Sequence, residues 1–238
     1  MNNCEGEKIL KLTINEKKDN MTFGDYVFDT IRENIISWNI KPGTKISEKE
    51  ISDALGVSRT PVREAFIKLA KEGIVEVIPQ KGTFISYIDL DQVEESRFIR
   101  KALEIAVIRL AAKEISEAYL EKLKEILDKQ KESVKTKAYE VFYDLDEEFH
   151  RQIFLSVNKE RTSNIIKLTG TQYKQIRMLS YLEDVNWNKV IVHHENIYEA
   201  LKAGDAEKAV QHTEEHLDKM LIDLIEIKNS YSHYFKQK

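Results

Sequence analysis

The stretch from Gly43 to Ile85, GTKISEKEISDALGVSRTPVREAFIKLAKEGIVEVIPQKGTFI, reads as two short helices and a hairpin, and it constrains the fold more than any other part of the chain. Between Ser47 and Leu55 the apolar Ile51, Ala54 and Leu55 fall at helical spacing, and Gly56 follows where a left-handed turn costs least. A second helix starts after Val57, with Ser58 or Thr60 as N-cap and Pro61 in the first turn. Val62, Ala65, Phe66 and Leu69 mark its buried stripe, and Gly73 can end it. Ile74 to Ile78 and Thr83 to Ile85 are mostly β-branched or aromatic and flank Pro79-Gln80-Lys81-Gly82, which predicts a two-stranded hairpin with a basic tip. Helix, turn, helix and wing is the arrangement of a winged helix-turn-helix.

Arg59 and Arg63 lie four apart at the start of the second helix, off the Val62/Phe66 stripe, so both project toward a major groove entered N-terminus first. An arginine placed there can hold G O6 and N7 with two bonds. The GVSRTPVREA run resembles the N-terminal domain of the GntR family of bacterial regulators. That resemblance implies DNA contacts from Ser58, Arg59, Thr60 and Arg63, with Lys49 near the backbone and Lys81 and Gly82 at a wing tip touching the minor groove. The competing reading is a winged helix used for protein contacts, its arginines merely solvated.

A net charge of −4 gives no global basic field, so nucleic-acid affinity must come from local placement. With 238 residues, 42% of them apolar, the chain can build two ordinary domains. Its one cysteine, Cys4, excludes an internal disulfide framework and fits a reducing compartment. No apolar run approaches a membrane span, and the start MNNCEGEKILKL lacks the basic region and apolar core of an export signal, so a cytoplasmic location is expected.

Residues 1–20 carry mixed charge and little periodicity and are expected to form a flexible extension, although Ile9, Leu10 and Leu12 could pack on a neighbour. Thr22 to Trp38 shows a helical pattern through Phe23, Val27, Ile31 and Ile35, broken by Lys41-Pro42-Gly43. Beyond Asp89 there is no proline, only Gly170 and Gly204, and periodic stretches at about 91–114, 116–135, 138–157, 161–182, 189–203 and 205–229. The expected fold is mainly α: a winged helix-turn-helix over 21–88, then an all-α helical bundle over 89–238. The boundary falls between Tyr87 and Asp91, with Asp89 or Asp91 capping the first long helix.

In the helical part, Asp146 and His150 in DEEFH lie four apart on one helix face, while His194 in HHENI and His216 in HTEEHL come from other segments. One carboxylate and three neutral imidazoles suit a divalent ion such as zinc, nickel, cobalt or manganese, and a bundle core gathers such side chains. Each of these residues taken alone reads as a surface or core side chain. FIRKALEIAVIRLAA (98–112), DLDEEFHRQIFLSVNKE (144–160) and HENIYEALKAGDAEKAVQHTEEHL (194–217) together resemble the FadR-type C-terminal domain, the FCD class, found fused to GntR winged helices. In its metal-binding members the ligands sit at positions matching Asp146, His150, His194 and His216. Asn158-Lys159 departs from the family's more frequent Gly-Asn, a change that bears on the helix end, since asparagine tolerates a left-handed turn.

The resemblance assigns no ligand to His193 or His212, and a zinc-protease helix would need a histidine where Tyr198 stands. Phe142, Tyr143, Phe149 and Phe154 read as core. Of Arg97, Arg100 and Arg109, Arg100 in IRKALE resembles an arginine facing the effector pocket in some relatives. The leading expectation is a dimeric, metal-dependent, ligand-responsive regulator that reads a palindromic duplex and senses a small organic acid. The alternatives are a metalloenzyme with an accessory winged helix, and a purely structural metal whose four protein ligands close a tetrahedral site.

Overall fold

Thr22 starts the first helix by accepting a hydrogen bond from the Asp25 backbone N–H at 3.1 Å. The helix, α1, runs Phe23–Ile36, shorter than the expected span to Trp38, because Trp38 takes the left-handed region at φ 62°. Phe23 also departs from the expected stripe: it is 56% exposed at the helix start, with the Lys17 ammonium 5.3 Å from its ring. The computed structural model that carries this description covers residues 12–183 and 187–237. Cys4, Ile9 and Leu10 lie outside the described residues. The rest of the N-terminal extension is docked instead of loose: the Thr13 N–H donates to Asn34 Oδ1 and Asn34 Nδ2 donates back to the Thr13 carbonyl, both at 2.8 Å, and Leu12 packs on the core.

After the short strand β1 (Lys45–Ile46) comes α2 (Glu48–Leu55), whose N-cap Ser47 accepts from the Glu50 N–H at 3.2 Å. Gly56 ends it at φ 64°, where an L-residue would be strained. Ile51 is the buried anchor of α2, while Ala54 is exposed. Helix α3 (Arg59–Lys71) has Ser58, and not Thr60, at its N-cap position, without a capping hydrogen bond from the side chain. Val62, Ala65, Phe66 and Leu69 are its buried stripe, packed with Val27, Ile31 and Ile35 of α1. Full burial of such side chains contributes roughly 1.5–3 kcal/mol each. Strands β2 (Val75–Ile78) and β3 (Gly82–Ile85) form the hairpin, but the sheet has three strands in the order β1-β3-β2, all antiparallel. A two-residue strand such as β1 carries too little alternation to be legible.

The helical unit comprises α4 (Leu90–Glu114), α5 (Glu117–Lys135), α6 (Tyr139–Ser156), α7 (Glu160–Leu168), α8 (Thr171–Leu182), α9 (Trp187–Lys202) and α10 (Ala206–Ser230). Asp89 caps α4, accepting from the Asp91 N–H at 3.0 Å. The stretch expected as one helix over 161–182 is two, because Gly170 takes φ 77° and a Cβ there would lie 3.1 Å from Ser96 Cβ. Asn158 takes φ 57° just past α6, the left-handed turn its side chain tolerates. Helix α10 packs on α4 and α9, and α5 packs on α6 and α9. Leu123, Leu127, Phe149, Ile197 and Ala209 are among the buried residues of the shared core.

Two compact units result, divided after Ile88. The last residues do not stay with the bundle as the 89–238 boundary supposed. From Tyr234 the chain rejoins the N-terminal unit, where Ile88 donates to the Tyr234 carbonyl and Lys236 donates to the Ile88 carbonyl, both at 2.9 Å. The Tyr234 ring lies edge-on to Trp38 with centroids 5.3 Å apart, which gives the out-of-pattern Trp38 its partner.

Candidate metal centre and nucleic-acid interface

Three helices of the bundle aim one polar group each, or two, at a single buried point. Asp146 and His150 come from α6, His194 from α9 and His216 from α10, and one ligand atom of each lies within 4.8 Å of all the others. All four residues are buried, Asp146 and His194 completely. His150 Nε2 and His216 Nε2 face each other at 3.0 Å, His194 Nε2 is 3.6 Å from Asp146 Oδ1, and His150 Nε2 is 4.0 Å from Asp146 Oδ2. The Phe149 ring stacks on His194 with centroids 4.3 Å apart and fixes the plane of the imidazole.

The outer atoms set the tautomers. His150 Nδ1 lies 2.8 Å from Glu104 Oε2, and because a carboxylate only accepts, Nδ1 carries a proton and Nε2 is the atom that faces inward. His194 Nδ1 faces Gln130 Oε1 at 3.0 Å in the same sense, leaving His194 Nε2 buried without a hydrogen-bond partner. His216 can then donate Nε2–H to His150 Nε2. Burial holds His194 down at about 3; Asp146 works against this, while His150 and Arg177 add to it. His216 is also pushed far below the ordinary histidine range, by burial and then by the other two imidazoles. Burial would raise Asp146, but Arg177 and the three histidines hold it well below the usual carboxylate range. Neutral imidazoles beside an ionised carboxylate are the donor set a divalent ion needs.

The orphaned His194 Nε2 is what an ion at this point would satisfy.

Several groups around this point escape a reading by spacing. Glu104, Gln130, Glu147, Arg177 and Tyr181 hold the ligands or each other. Arg177 Nη2 bonds Asp146 Oδ2, and Tyr181 Oη donates to Asp146 Oδ1 at 3.0 Å. Arg177 Nη1 lies 2.5 Å from Glu147 Oε1. The one sequence clue was α8 itself, TQYKQIRMLSYL, which shows no apolar stripe because Thr171 through Tyr181 are all buried. Arg100 is 3% exposed and bonds Glu104 Oε1 at 2.5 Å. It also lines a cavity with Arg177, Tyr181 and His216, of about 30 Å³ open to the centre of a water-sized sphere. Arg97 pairs instead with Glu94 and Asp218, and His212 with Glu215; His193 stays outside the cluster. Phe142, Tyr143, Phe149 and Phe154 are buried, as expected of core.

On the N-terminal unit, Ser58, Arg59, Thr60 and Arg63 are all exposed at the start of α3, with Lys49 exposed on α2. Lys81 is exposed at the hairpin tip, where Gln80 takes φ 64°. Gly82 is half-buried at the start of β3; a Cβ there would lie 2.8 Å from Lys45 Cε, so its absence lets the strand pass that side chain. Arg63 is not merely solvated: Nε and Nη2 both lie 3.0 Å from the carboxylate oxygens of Glu48, a two-point pairing across α2 and α3. Glu48 was not legible as part of this face, because the contact spans two helices.

Comparison with known proteins agrees with this division. Residues 24–85 match the family described as bacterial regulatory proteins, gntR family, and residues 95–219 match the FCD domain. The HTH-type transcriptional repressor RspR of Escherichia coli is 31% identical over 212 residues, covering 89% of this chain and 93% of its own. An uncharacterised HTH-type regulator in an unstable DNA locus of Streptomyces ambofaciens is 29% identical, covering 85% of each chain. The fold is shared with E. coli McbR/YncC, at TM-score 0.73 and 23% identity over 87% of this chain and 98% of that one. These relatives are regulators, which decides against the enzyme reading. The chain belongs to the GntR family of bacterial regulatory proteins, a transcription regulator with a DNA-binding helix-turn-helix followed by an FCD domain.

Proposed function

We propose that the protein is a ligand-responsive regulator whose helical domain binds one divalent ion through Asp146, His150, His194 and His216 and senses a small organic acid beside it. The convergence of those four buried side chains carries this reading. A bound zinc, nickel or manganese ion would supply open coordination positions that attract a carboxylate. Arg100, buried and bordering the adjoining cavity, supplies a second attraction for the same group.

On the DNA side, Arg59 and Arg63 read base edges in the major groove. Ser58, Thr60 and Lys49 hold the backbone, and Lys81 and Gly82 approach the minor groove. One such module covers few base pairs, so the reading includes a two-fold homodimer on a palindromic operator, acting in the cytoplasm. The acid acts by binding two states of the regulator with different affinity, which shifts their populations.

The test combines elemental analysis after dialysis with thermal-shift screening of the metal-loaded protein against organic acids. About one ion per chain, lost on replacing His194 or His216 by alanine, and an acid that raises the melting temperature and changes operator binding, would support the reading. Full metal occupancy in the triple alanine variant of His150, His194 and His216 would overturn the site.

A further inference from the structure

Helix α8 buries two cations, Lys174 and Arg177. Arg177 is 6% exposed, packed with its guanidinium 5.3 Å from the centroid of the Tyr143 ring and 5.8 Å from that of Tyr173. Burying a guanidinium costs heavily unless it is paired. Its two partners are Asp146 and Glu147, consecutive on α6. With Arg177 on Oδ2 and Tyr181 on Oδ1, both oxygens of the cluster's only carboxylate are already engaged by α8.

Arg100, Lys174, Arg177 and Lys219 are buried, against buried Glu104, Asp146 and Asp223, while Glu147, Arg97 and Lys101 are partly exposed. A divalent ion would bring two further positive charges to this interior, and the guanidinium on Asp146 is the buried cation bonded directly to one of its ligands. Arg177 lines a cavity of about 30 Å³ together with Arg100, Tyr173 and His216, so the space adjoining its fork is polar and next to the cluster.

We propose that Arg177 is an exchange residue that couples ion to anion: it holds Asp146 Oδ2 in the ion-free protein, yields that oxygen to a divalent ion, and turns its fork to a carboxylate ligand in the adjoining cavity. The two positive charges brought by the ion favour a dianion, so the class expected is a dicarboxylate. This rests on the metal reading above and goes beyond it, because it makes the ion and the acid bind cooperatively through one named side chain.

Titration of the full-length, metal-free protein with Co2+ tests this, followed by calorimetry and by the visible absorbance of the bound ion, with and without succinate as the probe. For the parent, succinate should tighten Co2+ binding about tenfold, within the usual range of coupling between sites. Arg177→Met should bind Co2+ about tenfold tighter than the parent when succinate is absent, since Asp146 loses its competitor, and should lose the response to succinate. A merely structural arginine would give the opposite result, weaker Co2+ binding on removal. Equal or weaker Co2+ binding by the variant, or an undiminished succinate effect, overturns the exchange while leaving the metal site standing. No Co2+ binding by the parent overturns the metal site and the exchange together. Should Arg177→Met fail to fold, Arg177→Lys carries the comparison, because one ammonium cannot reproduce the two-point hold on Asp146 and Glu147. It should show tighter Co2+ binding and a weaker succinate response, and parental values for both would overturn the proposal.

Discussion

Replacing Glu104 by glutamine isolates the part of the centre that no sequence spacing reveals. Glu104 is 4% exposed, accepts from His150 Nδ1 at 2.8 Å through one oxygen and from Arg100 Nε at 2.5 Å through the other. Burial would raise its pKa, but His150 and Arg100 bring it down to about 2, so it is ionised at any working pH near neutrality. Glutamine keeps the shape but offers one acceptor and one NH2 to two donors, so one of the two contacts becomes donor against donor. If His150 loses its anchor, its inward-facing Nε2 is no longer fixed, and loss of such an outer partner typically weakens metal binding about 10–100-fold, or about 1.4–2.7 kcal/mol. If Arg100 loses, the fold suffers. Breaking a buried pair costs about 3–5 kcal/mol, and the low end applies because Glu147 remains 3.2 Å from Arg100. Calorimetric titration of the metal-free variant, alongside urea denaturation, separates the two. Leu123→Ala, in the same core and fully buried, serves as control, since it should cost about 2–5 kcal/mol of stability with little change in metal affinity. Parental metal affinity in Glu104→Gln would refute the reasoning.

Other expectations follow from the same geometry. Alanine at Arg59 or Arg63 should cost roughly 1–3 kcal/mol of discrimination at a G·C pair, measured by fluorescence anisotropy on operator variants; equal loss on all sequences would make them backbone contacts only. Glu48→Gln should leave stability nearly unchanged, because its pair with Arg63 is exposed, yet alter operator affinity by freeing that fork. Since His194 titrates near 3 when folded and near 6.5 when unfolded, the unfolded state takes up the proton first as pH falls. Stability should therefore decline from about pH 6.5 toward 3, by up to about 1.4 kcal/mol per pH unit for this group, with His216 adding in the same direction. A flat urea midpoint across that window would contradict the burial of neutral imidazoles. Sedimentation of the free protein at micromolar concentration should give a dimer, and a monomer that binds DNA singly would sink the palindrome reading.

Legibility followed periodicity. The stripe Val62, Ala65, Phe66, Leu69 announced α3 because one face is buried and the other wet. The four cluster residues were legible because two of them share a helix face and the segments carrying the others match a known domain. Helix α8 hid its role for the opposite reason: a helix buried all round has no wet face to set off a buried one, so nothing in its pattern marks Arg177 and Tyr181. The split at Gly170 was masked by continuous helical propensity on either side, and only the close approach to Ser96 makes the glycine necessary there. Strand β1 and the return of Tyr234 to Ile88 rest on pairings between distant segments, which local sequence cannot encode.

Without an ion this interior would be a poor energetic arrangement, and that bears on what the site is for. His194 Nε2 and His216 Nδ1 are buried without hydrogen-bond partners, and an unmade bond of this kind typically costs about 1–3 kcal/mol. An apolar replacement of the whole set would remove those costs. A bundle that needed only stability would gain nothing by gathering three imidazoles, a carboxylate and an arginine at one point. Occupancy reverses the balance: a ligand at a hundred times its Kd stabilises the folded state by about 2.7 kcal/mol, comparable with the deficit of one such unmade bond. On the function proposed above, a core held slightly short of its optimum would be restored by an ion and an acid together, giving two states whose populations a metabolite can move. The direction is testable in one titration series. Melting temperature should rise with metal, rise further with a carboxylate, and respond least to either in the variant lacking His194 and His216.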